Sequence, residues 1–304
     1  MDKVLIIGLG LIGGSLARSL KETGLAASIT GCGPREPTLR RGLELGVIDD
    51  YSLDLDTALA GAELVVIGAP TLKAAELLAD VLERVPAETV VTDVASVKGN
   101  LVRAYESARD SLASGPGQGR EIAHFVPGHP IAGSERSGVE ASRADLFVDR
   151  RVILTPMADG DTAATALVRE LWESTGAEVV EMGVAEHDAI LAATSHLPHV
   201  LAYALVDALA RSALSDDIFR FAAGGFRDFT RIASSDPVMW RDIAIANRDE
   251  LLKAIDGFSE NLNTLRNAVA ESDAELLYRT FSDAKAARDT FTEGVDGAAQ
   301  GTGH

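Results

Sequence analysis

The sequence predicts an α/β protein: an N-terminal doubly wound parallel sheet over residues 1–183, an all-helical domain over 184–292, and a flexible tail over 293–304. Three observations carry that reading. A short apolar run, Val4-Leu5-Ile6-Ile7, leads straight into Gly8-Leu9-Gly10-Leu11-Ile12-Gly13 and then a helical stretch. Further apolar runs alternate with helical ones at the spacing of strand–helix–strand units. From about Val184 the strand signals vanish and only helical spacing remains.

The first run is wholly apolar, as a strand buried on both faces of a parallel sheet must be. The glycines after it form a G-x-G-x-x-G in its informative context, behind a strand and ahead of a helix. Gly8 permits a tight turn, Gly10 lets backbone approach a pyrophosphate, and Gly13 lets helix and strand pack closely. Leu11 and Ile12 open the helix, whose free N–H groups would face the phosphates. Strands are expected at Ser28-Ile29-Thr30-Gly31-Cys32 and over 63–68, 89–93 and 124–126, with two more over 152–155 and 178–181. Helices are expected near 37–45, 72–83, 98–112 and 162–174. Ligands of such sheets sit beyond the carboxyl ends of the strands, which gathers 8–13, Ala69-Pro70-Thr71 and Ala95-Ser96-Val97-Lys98 at one rim. Gly115-Pro116-Gly117-Gln118-Gly119 reads as a flexible loop without assignable chemistry.

The end of the second strand bears on cofactor choice. NAD-binding folds commonly place an acid there for the ribose hydroxyls. Here Gly33 holds that position, followed by Pro34 and Arg35. An arginine without the acid suits the 2′-phosphate of NADP, whereas NAD would bind with one hydrogen bond fewer. The expected cofactor is NADP or NAD.

The 304 residues are enough for two cores. With 28 basic against 46 acidic side chains the formal charge is −18, which argues against nucleic acid or an anionic membrane as partner. An anionic ligand would need a local positive pocket, so the arginines matter. Cys32 is the only cysteine, which excludes an intrachain disulfide and fits a reducing cytoplasm. No basic leader precedes the first apolar run, and no apolar stretch is expected to reach membrane-spanning length. A soluble cytoplasmic protein is expected.

The second half is apolar at helical spacing over 186–210, where Pro198 should kink or break the helix. The pattern continues over 216–222, 237–255, 260–269 and 271–288. Leu251, Ile255, Phe258, Leu262 and Leu265 make a stripe that suits a core or a partner helix.

Three motifs carry the candidate chemistry. In Gly128-His129-Pro130-Ile131-Ala132-Gly133-Ser134-Glu135 a histidine stands between glycine and proline, which predicts a loop that aims the ring. Taken alone, an ordinary turn fits this segment equally well. Ser195-His196-Leu197-Pro198-His199 puts two histidines three apart. Helical zinc pairs of the metalloprotease kind use i, i+4 spacing with a glutamate between, so no metal is expected here. Substrate contact and structural histidines both remain as readings. Gly224-Gly225-Phe226-Arg227-Asp228-Phe229-Thr230-Arg231 suggests a loop presenting a guanidinium, which binds carboxylates in bidentate fashion. A surface ion pair is the alternative.

Taken in order, the nucleotide-binding start, Asp93-Val94-Ala95-Ser96-Val97-Lys98, the segment from Gly128 to Glu135, the paired histidines, Phe226-Arg227-Asp228-Phe229-Thr230-Arg231 and Asp236-Pro237-Val238-Met239-Trp240 resemble the prephenate/arogenate dehydrogenases of tyrosine biosynthesis. The resemblance runs from Lys3 to about Phe258. It implies hydride transfer from ring C4 of prephenate to NAD(P)+ with loss of the C1 carboxylate as carbon dioxide, giving 4-hydroxyphenylpyruvate. Arogenate, with an amino acid side chain, would give tyrosine instead.

By the same resemblance His129 matches the family's catalytic histidine and would take up the C4 hydroxyl proton, work that suits an imidazole. Ser96 matches a serine that orients the imidazole or the hydroxyl, and Arg231 matches an arginine that clamps a substrate carboxylate. His199 would line the pocket, with Ser134 and Glu135 bordering it, in the arrangement of the family from a neighbouring subunit. His196 would line it or brace the helix turn. Cofactor contacts would come from Gly8, Gly10, Leu11, Ile12, Gly13, Arg35 and Pro70. The resemblance further implies a Rossmann-like nucleotide domain and a homodimer formed through the helical domain. His187, Arg227, Asp228 and Trp240 are assigned to structure, Trp240 as a packing anchor.

Rival readings each lack a part. A β-hydroxyacid-type dehydrogenase needs a catalytic lysine on its long helix, and no lysine lies between residues 184 and 252. A pyrroline-carboxylate-type reductase has no use for the segment around His129. A non-catalytic dinucleotide sensor would not need His129 and Arg231 together. A metal-dependent phosphohydrolase built on His187-Asp188 lacks the second acidic and histidine cluster.

Overall fold

The computed structural model describes residues 1–114, 121–133 and 136–301, so Ser134, Glu135 and the glycine-rich loop of 115–119 lie outside the described residues. Strands β1 (Lys3–Ile7), β2 (Ser28–Cys32), β3 (Asp50–Ser52), β4 (Leu64–Ile67), β5 (Val90–Asp93) and β6 (His124–Val126) lie parallel, in the order β3-β2-β1-β4-β5-β6. Between them run α1 (Leu11–Thr23), α2 (Glu36–Glu44), α3 (Leu55–Leu59), α4 (Thr71–Leu82) and α5 (Gly99–Ser114). The expected doubly wound sheet is present. Its order reverses between β1 and β4, the place where such sheets take their ligands.

Both faces are buried, which is why the strands read as unbroken apolar runs. Val4 and Ile6 join Leu16, Leu20, Ile29 and Val66 in one core. Leu5 and Ile7 point the other way, toward Val65, Ile67, Leu78 and Leu101. The edge strand β3, Asp50-Tyr51-Ser52, has no such run and is invisible to the pattern.

A second, three-stranded sheet follows. In it β7 (Gly128–Pro130) pairs antiparallel with β8 (Arg151–Leu154), which pairs parallel with β9 (Glu178–Glu181) across α6 (Thr162–Glu173). The segment around His129 is therefore a strand, not the expected loop. Three residues are too few to show alternation, and the pairing partner lies far along the chain.

The helical part begins with α7 (Val184–Leu191), a π-helical turn at Ala192–His196, and α8 (Leu197–Ala210). Pro198 lacks an N–H and crowds the carbonyl four residues back. The widened turn ahead of it absorbs that conflict, so the chain stays helical. The run Val184–Ala210, 27 residues, is long and apolar enough to cross a membrane by length and composition, contrary to expectation. Its His187, Asp188 and His196 are buried and hydrogen-bonded instead.

Next come α9 (Ser215–Arg220) and α10 (Gly224–Thr230), then a 3₁₀ turn over Arg231–Ser234. The expected loop around Phe226 is thus a helix. Its two glycines occupy the first turn, where they weaken it least. The chain continues through α11 (Pro237–Ala246), α12 (Arg248–Glu271) and α13 (Ala274–Gly301), whose backbone is helical well into the stretch expected to be a tail. Asp236 starts α11 by accepting the N–H of Met239 at 2.8 Å.

Met1–Leu251 and Leu252–His304 are two compact units of the chain. Within the first, Lys98 and Gly99, where α5 begins, donate their N–H groups to Asp188 of α7 at 2.9 and 2.8 Å.

Candidate active site

At the rim above β1 the three fingerprint glycines do three different things. Gly8 has φ +99°, and a Cβ there would meet the Gly68 carbonyl oxygen at 2.6 Å, so the turns after β1 and β4 run against each other. A Cβ on Gly13 would meet the Gly8 oxygen at 2.5 Å, the close approach that seats α1 on the sheet. Gly10 has nothing within 4 Å of that position, leaving bare backbone toward the rim. No side chain caps α1 and no acid sits in its first turn. Its first N–H groups, from Leu11 onward, present the positive end of the helix. This cradle fits the pyrophosphate of a dinucleotide. Pro70 begins α4 beside it, exposed. Across the rim Gly33 is open, and Arg35, at the start of α2, is exposed and makes no ion pair among the described residues.

The end of β5 ties this rim to His129. Gly128 donates its N–H to Asp93 Oδ1 at 3.2 Å, and its carbonyl accepts from Lys98 Nζ at 2.5 Å. Lys98 and Asp93, both fully buried, also form an ion pair. Burial disfavours the charge on each, and their mutual attraction opposes that. The clamp holds β7 at one height above the rim.

His129 itself is 8% exposed. Its Nδ1 lies 2.9 Å from His187 Nε2, and His187 Nδ1 lies 2.8 Å from Asp188 Oδ1. A carboxylate only accepts, so His187 carries its proton on Nδ1 and offers a lone pair at Nε2. His129 then donates from Nδ1 and keeps its own lone pair at Nε2. Burial, with His187, Lys98 and His196 adding to it, pushes the His129 pKa well below the ordinary histidine value. Burial alone would raise Asp188, but hydrogen bonds from His187 and from the two α5 N–H groups outweigh it and leave the carboxyl below its usual range. The result is a neutral base backed by a fixed anion. Among the described residues no group of three or more His, Cys, Asp or Glu side chains is disposed to hold a metal ion.

A second group surrounds the π turn. His196 is 1% exposed, and its Nδ1 accepts from Asn247 Nδ2 at 3.0 Å while its Nε2 has no partner among the described residues. His199 Nδ1 donates to the Ser195 carbonyl at 2.9 Å, and its ring stacks on Trp240 with centroids 3.5 Å apart. Trp240 also meets His196 edge-on at 6.1 Å, and its buried Nε1 likewise has no partner among the described residues. Two buried donors without acceptors are the kind of group that a bound anion satisfies. Arg231 is exposed and close enough to His199 to help burial lower its pKa. Ser96 stands on the loop between β5 and α5, half-buried, with no hydrogen bond to the imidazole; His187 takes that place.

Burial brings the His196 pKa down to about 4, Asp188 opposing. The unfolded chain takes up a proton near pH 6.5 that the folded one refuses, so stability is lost as pH falls through that window. His196 accounts for about 2 kcal/mol of loss between roughly pH 7 and pH 5. Denaturant midpoints at both values should show a smaller drop for His196→Gln than for the native chain; equal drops would reject the assignment.

Two family models cover nearly the whole chain. Residues 16–181 match "Prephenate dehydrogenase, nucleotide-binding domain" and residues 184–283 match "Prephenate dehydrogenase, dimerization domain". The chain belongs to the prephenate dehydrogenase family. Prephenate dehydrogenase of Bacillus subtilis is 38% identical over 95% of this chain and 76% of its own length. Cyclohexadienyl dehydrogenase of Zymomonas mobilis is 34% identical over 94% of both. The crystal structure of the Aquifex aeolicus prephenate dehydrogenase, in complex with hydroxyphenyl propionate and NAD+, superposes with a TM-score of 0.86 at 36% identity, covering 96% of this chain and 98% of that one.

For a prephenate dehydrogenase, three side chains stand out that sequence reasoning assigned to structure or passed over. His187 and Asp188 lie directly behind His129, and Trp240 lies between His196 and His199. The adjacent His-Asp pair was visible as a pair. Its target was not, because the contact crosses 58 residues of sequence.

Proposed function

We propose that the chain oxidatively decarboxylates prephenate to 4-hydroxyphenylpyruvate, passing a hydride to NAD+ or NADP+ in tyrosine biosynthesis. The observation that carries this is His129, buried above the dinucleotide rim as a neutral base whose Nδ1 is engaged by His187, so that its lone pair is at Nε2. The nicotinamide, when bound, supplies the hydride acceptor. Gly8, Gly10, Leu11, Ile12 and Gly13 would hold its pyrophosphate, Pro70 would back it, and Arg35 would meet a 2′-phosphate. His129 Nε2 accepts the C4 hydroxyl proton, with Ser96 orienting that hydroxyl. Arg231 clamps a substrate carboxylate, and the orphaned donors of His196 and Trp240 beside His199 receive anionic oxygens. The polypeptide works as a soluble, cytoplasmic homodimer joined through helical faces that leave side chains such as Leu262 and Phe281 exposed.

Arogenate is the second substrate to consider, because the donors at the pocket read carboxylates and both compounds carry them. Purified protein mixed with prephenate or arogenate and either nicotinamide tests this, read as absorbance of the reduced cofactor. Turnover with prephenate is expected; reduction in none of the four mixtures would reject the proposal. Arg231→Ala should raise the KM for substrate by about tenfold to a hundredfold, the worth of a charge-assisted pair. An unchanged KM would remove Arg231 from the site.

A further inference from the structure

The proposed reaction borrows a proton and does not release one. As hydride leaves C4, the hydroxyl proton must leave too, because the C4–O bond becomes a carbonyl. When the bond from C1 to its carboxylate breaks, its electron pair enters the ring and the C4 oxygen becomes a phenolate. That oxygen then takes the proton back. The substrate has lost one hydride and one carbon dioxide, and its proton count is unchanged. Something must hold the proton between the two bond changes.

His129 alone holds it poorly. Its ring is buried, and Lys98 on the turn before α5, His196 on the π turn and His187 all oppose a positive charge there. Behind it the geometry continues: His129 Nδ1 is 2.9 Å from His187 Nε2, and His187 Nδ1 is 2.8 Å from Asp188 Oδ1. Asp188 is locked by the N–H groups of Lys98 and Gly99, at 2.9 and 2.8 Å, and cannot turn away. Asn247, uncharged, ties the Asp188 carbonyl to His196. Lys98 is itself matched by Asp93, and among the described residues the carboxylate paired with His187 is Asp188. His187 has no solvent exposure, so a proton placed there is kept for return.

We propose that His187, backed by Asp188, is a positioning residue that fixes the His129 tautomer and holds the borrowed proton during turnover. As the hydroxyl proton bonds to His129 Nε2, the proton on His129 Nδ1 moves to His187 Nε2. The charge then rests on an imidazolium paired with a carboxylate. The reverse shift returns the proton to the phenolate. This rests on the dehydrogenase reading above.

His187→Gln separates the two duties, since its amide oxygen can accept from His129 Nδ1 but cannot take up a proton. The KM for prephenate should stay within about twofold while kcat falls by about tenfold to a hundredfold. In mixtures of light and heavy water the native kcat should fall along a curve, as two protons in flight require, and that of the variant along a straight line. A His187→Gln kcat within about twofold of native, or a straight line for the native enzyme, overturns the inference. The native measurement decides alone if the variant does not fold. Failure of the native chain to reduce either nicotinamide would instead defeat the dehydrogenase reading, and this inference with it.

Discussion

Replacing His129 with Asn should lower kcat by about 10²- to 10⁴-fold, the usual worth of a positioned general base, and leave cofactor binding intact. The asparagine amide can donate to His187 Nε2 in place of the imidazole Nδ1, so the bond to Asp188 stays satisfied. What disappears is the lone pair at Nε2. Fluorescence titration with reduced nicotinamide should give a native affinity while turnover collapses. A kcat within about tenfold of native would mean that another group takes the proton. The pH profile carries the same claim. Burial holds the His129 pKa well below the ordinary histidine value, so it remains a base at pH values where exposed histidines are charged. The acid limb of kcat/KM should therefore fall below about pH 6.5, and activity is lost as pH drops because the base fills.

The second large effect concerns stability. Lys98→Met should cost about 3–5 kcal/mol, because it leaves the carboxylate of Asp93 buried without its counter-charge. It also strips the donor from the Gly128 carbonyl, loosening β7 at the residue before His129. Adding Asp93→Asn should recover part of the loss, since a neutral pair has no charge to strand. Denaturant midpoints of the native chain, the single variant and the double variant measure this. A single-variant loss under about 1 kcal/mol would show that the pair does not clamp the strand.

Much of this is legible in the sequence. β1 and its glycines announced themselves because two-sided burial demands an apolar run and the turn demands glycine at Gly8. The helical second half followed from spacing. What stayed hidden has a common cause: each missed feature is set by a partner distant in sequence. β7 is a strand only because β8 pairs with it. His187 became interesting only once it lay against His129, and Trp240 once it stacked on His199. At Pro198, where a kink or a break was expected, the chain makes a π turn, because a proline conflict can be relieved by widening the turn as well as by ending the helix. Ser134 and Glu135 stay as sequence readings alone.

Coupling of oxidation to decarboxylation is read by following carbon dioxide and reduced nicotinamide together as the purified protein consumes prephenate. Equal amounts of the two are expected at every time point, with 4-hydroxyphenylpyruvate as product. Carbon dioxide released without reduced nicotinamide, or reduction without carbon dioxide, would contradict it.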